Sequence, residues 1–131
     1  MADHPNLDLL RRGYAAYGAG DMDTINELFA DDVVWHVSGR SPIAGDYTGK
    51  EEVFGFFGKL QELSGGTSSV EVHDLLANGE HGVAIVTESA TRNGNSYQGR
   101  GTHVLHLRDG KVTEFWDAHV DQYSADEFWS S

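Results

Sequence analysis

Leu28-Phe29-Ala30-Asp31-Asp32-Val33-Val34-Trp35-His36-Val37 is the stretch in which the chain changes its hydrophobic period. Up to Phe29 the large apolar residues recur at helical steps. From Val33 to Val37 nearly every residue is β-branched or aromatic, which reads as a strand. Ile25, Leu28 and Phe29 form the inner stripe of a short helix that Asp21 can N-cap. Further upstream, Leu7, Leu10, Tyr14 and Tyr17 recur at steps of three and four, and Gly18 and Gly20 stop that first amphipathic helix. Downstream, Ser38-Gly39-Arg40-Ser41-Pro42 is a polar exit. Thr48-Gly49-Lys50-Glu51 then fits a capping box, and Val53, Phe54, Phe57 and Leu60 follow at helical spacing until Ser64-Gly65-Gly66. The rest of the chain holds strand-like runs separated by Asn78-Gly79, Asn93-Gly94 and Asp109-Gly110, dipeptides suited to hairpin turns. Three helices followed by a four-stranded meander predict an α+β fold in which an antiparallel sheet buries one face against the helices.

Composition limits the partners. The 131 residues suit one domain spanning 1–131. Aspartate and glutamate number 21 against 9 lysines and arginines, and a net charge of −12 argues against nucleic acid and anionic membrane surfaces. No cysteine is present, which removes disulfides, thiolate nucleophiles and zinc–thiolate sites. The start has early acids and no apolar core of a signal peptide, and no run reaches a membrane span, so a cytoplasmic protein is expected.

Tyr14-Ala15-Ala16-Tyr17-Gly18-Ala19-Gly20-Asp21 and Leu28-Phe29-Ala30-Asp31-Asp32-Val33 resemble the opening of nuclear transport factor 2-like proteins. Gly45-Asp46-Tyr47-Thr48-Gly49-Lys50 and Leu107-Arg108-Asp109-Gly110-Lys111-Val112-Thr113-Glu114-Phe115-Trp116-Asp117 resemble the SnoaL-like polyketide-cyclase and ketosteroid-isomerase-like branch. The resemblance implies a cone-shaped α+β barrel enclosing one pocket. It fails at the residues of steroid isomerisation, since Val37 stands where that enzyme has its base and His103 where it has an oxyanion-hole aspartate. The SnoaL-like cyclases fit better, because His103 and Asp117 match their histidine and aspartate, the latter acting as acid/base. The implied activity is cofactor-independent cyclase- or isomerase-type chemistry on a small or medium apolar ring-bearing compound. Hydrolase chemistry is a lesser variant, and the rival is a non-catalytic ligand-binding or dimerisation module.

Whether His103 and Asp117 share a face depends on the hairpin between them. A two-residue Asp109-Gly110 turn sets His103 opposite Trp116 and turns Asp117 away. A three-residue Arg108-Asp109-Gly110 loop sets His103 opposite Phe115 with Asp117 diagonal to it, and the resemblance favours this second register. In either register Phe115, Asp117 and His119 point the same way. The catalytic candidates are therefore Asp117, His103 and His119, and an apolar enclosure is expected to raise the Asp117 pKa. Tyr14, Tyr17, Trp35, Phe54, Phe57 and Phe115 are candidates for lining a ligand cavity. No metal is expected, because His103 and His106 are three apart on a strand and no two-histidine helical pair occurs. Trp116 is expected on the outer sheet face, where it would serve a homodimer contact. The segment from Ser124 to Trp129 has two open readings, a cap on the pocket or a reach to a partner subunit.

Overall fold

The computed structural model describes residues 4–131, so Met1, Ala2 and Asp3, part of the start read for a leader, lie outside it. The elements in chain order are α1 (Pro5–Ala19), α2 (Met22–Leu28), β1 (Phe29–Val37), β2 (Gly45–Thr48), α3 (Gly49–Ser64), β3 (Ser69–Ala77), β4 (His81–Arg92), β5 (Asn95–Arg108), β6 (Lys111–His119) and α4 (Gln122–Ser130). The fold is α+β, with α1 lying against β3 and α3 against β1. No helix among the described residues is long and apolar enough to cross a membrane.

The strand order is β2-β1-β6-β5-β4-β3. The meander from β3 to β6 is antiparallel as expected, but β1 joins β6 in parallel, so the sheet is mixed rather than antiparallel. Its end strands β2 and β3 do not pair with each other, leaving a curved sheet that hydrogen bonds do not close. Parallel pairing became available because the whole of α3 and the meander intervene between β1 and β6, far more chain than such a crossover requires.

Local chemistry explains the helix ends. Gly20 and Gly65 both adopt the left-handed conformation, and their N–H groups bond back to the last turns of α1 and α3. The Asp21 carboxylate accepts from the Thr24 N–H at 3.1 Å, as an N-cap should. At α3 the expected capping box is half formed and displaced by one residue. Glu52, not Glu51, accepts the Thr48 N–H at 3.1 Å, and the Thr48 side chain makes no cap bond. Phe29 opens β1 instead of closing α2, since a buried aromatic can serve either element and here it packs beside Trp35. Two elements were not anticipated: the short, largely polar edge strand β2 and the C-terminal helix α4.

Helix α4 returns over the sheet, N-capped by Asp121 and anchored by buried Ala125, Phe128 and Trp129. Phe128 packs on Tyr97 at 5.5 Å, and the Arg92 guanidinium donates to the Trp129 carbonyl at 3.0 Å. Gly39 has to be glycine, because its φ is positive and a Cβ there would collide with Asp126 and Gln122 of α4.

Candidate functional site

The sheet presents two inward rows that build a cavity. On β5 the row is Tyr97, Gly99, Gly101, His103, Leu105, and on β6 it is Phe115, Asp117, His119. The glycines make room: a Cβ on Gly99 would strike the Tyr97 ring, and one on Gly101 would crowd the Ala118 carbonyl oxygen at 3.2 Å. The resulting cavity, about 120 Å³, is lined mainly by apolar and aromatic side chains.

The hairpin that sets these rows follows neither expected register. Its turn is the two-residue Asp109-Gly110, with both residues at positive φ, and Arg108 pairs with Lys111. One residue later the ladder slips by a bulge, so that Leu107 faces Val112 while His106 faces Glu114. Beyond the bulge His103 lies directly opposite Asp117, on the same face. The Thr113 hydroxyl donates to the His106 carbonyl at 3.2 Å within this irregular stretch. The favoured three-residue loop is thus incorrect, and the bulge achieves the pairing for which that loop was invoked.

Four ionisable side chains meet at the polar end of the cavity. His103 Nε2 lies 2.6 Å from Glu88 Oε1 and 3.5 Å from Asp117 Oδ1. His119 Nδ1 lies 3.3 Å from Glu88 Oε2, and its Nε2 lies 3.7 Å from Asp117 Oδ2. His103 Nδ1 is 2.6 Å from the Tyr14 hydroxyl, and Tyr97 approaches His119 Nδ1 at 3.4 Å. Asp117 Oδ1 is buried without a hydrogen-bond partner.

Electrostatics assign the protons. Burial opposes an imidazolium at His103, but Tyr14 and the carboxylates of Asp117 and Glu88 outweigh it and hold the pKa well above the free value of 6.5. Burial would raise the Asp117 carboxyl, yet the close approach and charge of His103, with the charge of His119, pull it below 3.8. The expected raised pKa is therefore corrected: enclosure acts as anticipated, but the adjacent imidazoles dominate. Burial raises the Tyr14 and Tyr17 hydroxyls, and burial with Glu88 and Asp117 pushes Tyr97 up to about 12. All three phenols stay protonated near neutrality.

Tyr14, Tyr17, Trp35, Phe57 and Phe115 line the cavity together with Asp117, His103 and His119. Phe54 does not. It sits on the flank of α3, 6.1 Å from Phe29 and from Phe57, while Phe56 takes the place at the cavity. Sequence reasoning also missed Glu88 and Tyr97. A signal existed for Glu88, which falls in phase with buried Ala84, Val86 and Ala90 of one strand, where a carboxylate requires a partner.

Comparison with known proteins adds the following. A family model described as the SnoaL-like domain matches residues 10–115. The chain is 30% identical over 131 residues to the uncharacterized protein Rv0034 of Mycobacterium tuberculosis, covering 99% of this chain and 100% of that protein. It superposes on Bal32a, from a soil-derived mobile gene cassette, with a TM-score of 0.91, 36% identity and 95% of each chain covered. An NTF2-like protein from Burkholderia pseudomallei shares the fold at a TM-score of 0.85 and 22% identity, covering 96% of this chain and 98% of that one.

Proposed function

From the premise that the chain belongs to the SnoaL-like domain family, we propose that it binds a small or medium apolar ring-bearing compound and acts on it by cofactor-independent acid/base catalysis of the cyclase or isomerase type. The observation that carries this reading is the unpartnered Oδ1 of a buried Asp117, directly opposite His103 in an otherwise apolar cavity. An unmet buried acceptor costs about 1–3 kcal/mol, and a ligand C–H acid or hydroxyl proton delivered there recovers part of it.

The roles follow from the proton assignment. The Asp117 carboxylate takes the proton. The His103 imidazolium donates from Nε2 to Glu88 and from Nδ1 to the Tyr14 oxygen, which leaves the Tyr14 O–H free to donate to a developing enolate. Glu88 holds the imidazole in place and balances its charge, and so is a positioning residue. His119, between both carboxylates, can relay the proton onward.

Melting temperatures against a panel of ring ketones, phenols and lactones, recorded in chelator, test the binding step. A ligand at about a hundred times its Kd adds roughly 2.7 kcal/mol, or several degrees. Asp117→Asn is then expected to lower turnover of the best-bound compound by roughly 10²–10⁴-fold with affinity nearly kept. Binding without turnover in the wild type selects the ligand-binding module instead.

The homodimer belongs to the same proposal. A row across the outer face joins Leu76, Val83, Val104, Trp116, His36 and Asp46, one from each strand in register. Its apolar members, with half-exposed Leu76 at one end, support packing against a second copy.

A further inference from the structure

We infer that Glu88, His103 and Asp117 form a binding site for one divalent transition-metal ion of the zinc class. The inference does not depend on the acid/base reading. Among the described residues, one ligand atom from each of the three lies within 4.8 Å of the others. Around an ion bound at about 2.0–2.2 Å, neighbouring ligand atoms stand roughly 3.4 Å apart. The contacts of His103 Nε2 with Glu88 and Asp117, at 2.6 and 3.5 Å, straddle that spacing.

Three further observations bear on the site. Asp117 Oδ1 is buried with no hydrogen-bond partner, its contact with His103 Nε2 at 3.5 Å being too long for one. His103 is held from behind by Tyr14 at its other nitrogen, 2.6 Å away, which is the outer contact that orients metal-binding imidazoles. Two carboxylates share a largely apolar cavity, and a dication offsets both charges there, taking the place of the proton on His103 Nε2. Imidazole and carboxylate together suit zinc, cobalt, iron or manganese better than calcium or magnesium. The expectation of no metal rested on histidine spacing alone, and Glu88, which completes this set, lies on a different strand from His103 and Asp117.

The outer sheet face offers an instructive contrast. His36 also touches two carboxylates at 2.6 Å, but through opposite ring nitrogens, so the ring separates Asp46 from Glu114 and no ion can reach all three.

Calorimetric titration of chelator-treated protein with zinc chloride, with no organic ligand present, tests the site, and cobalt absorption in the visible gives a second readout. One ion per chain is expected, with Glu88→Gln and Asp117→Asn each weakening binding at least roughly tenfold and Tyr14→Phe roughly tenfold through the outer contact. His36→Asn should leave affinity unchanged, and magnesium should not compete. Absence of saturable binding below millimolar zinc overturns the inference. So does binding that survives Glu88→Gln and Asp117→Asn, or that His36→Asn abolishes. Should the inner variants fail to fold, the anomalous zinc peak in wild-type crystals decides, its place being either among these side chains or elsewhere. Because the ligand panel is run in chelator, failure of either experiment leaves the other reading standing.

Discussion

His36 shows how one residue can make stability depend on pH far from the cavity. Burial works against its charged form, but the hydrogen bonds it donates to Asp46 and Glu114 prevail and raise its pKa above 6.5. Its surroundings are otherwise the Trp116 ring, stacked at 5.3 Å, and His106, which meets Glu114 at 3.8 Å. A raised folded-state pKa means that the stabilisation is complete below the unfolded value of about 6.5 and is lost as pH rises through the folded value. Melting temperatures of the wild type and His36→Asn between about pH 5.5 and 8.5 should therefore converge as pH rises, the variant lying lower at the acidic end. A constant gap across that range would mean that the two contacts do not hold the proton. At the same scale, the resemblance named His103 and Asp117, and alternation put His119 on the face of Asp117. Glu88 falls in phase with Ala84, Val86 and Ala90, but that phase becomes a place in the cavity only once β4 is set against β5.

At the scale of elements, the β5–β6 hairpin carries the main lesson. The turn chemistry of Asp109-Gly110 was legible and decisive, while the bulge was not weighed. It leaves a trace in the sequence: buried Val112 and Phe115 are three apart, so an alternating strand can turn both inward only by gaining one residue between them. Deleting Thr113 should accordingly leave a regular ladder in which Glu114 still faces His106 and Asp117 still faces His103. The expected result is a near-ultraviolet circular dichroism spectrum like that of the wild type, with stability changed by about 1–2 kcal/mol. Loss of the aromatic signal would show that the bulge is needed to seat Phe115 on Trp35, whose rings stack at 3.6 Å. Strand β2 and helix α4 escaped sequence reading for a different reason. Four largely polar residues carry no period, and the buried Ala125, Phe128 and Trp129 form a stripe too short to distinguish a cap from a partner contact.

For the whole molecule, the sheet has two faces with different tasks. The inner face surrounds the cavity, and the outer one bears the row from Leu76 to Asp46 together with exposed Ile85. If a second copy covers that row, sedimentation velocity should give twice the 14.3 kDa of one chain, and Leu76→Glu with Ile85→Glu should return it to that mass. A wild type that sediments at 14.3 kDa at high micromolar concentration would remove the dimer from the proposal. Helix-then-meander order was evident from periodicity and turn residues, and the enclosing sheet was what the family resemblance implied. The parallel β1–β6 pairing was not, since it depends on which strands the closed-over helices leave adjacent.

The three tryptophans divide between these faces in a useful way. Trp35 and Trp129 both line the cavity, one from β1 and the other from α4, whereas Trp116 lies outside between His36 and His106. Replacing Trp116 with phenylalanine leaves two indoles, each in the wall of the cavity. The emission of that variant would be a label-free optical gauge of whatever enters it.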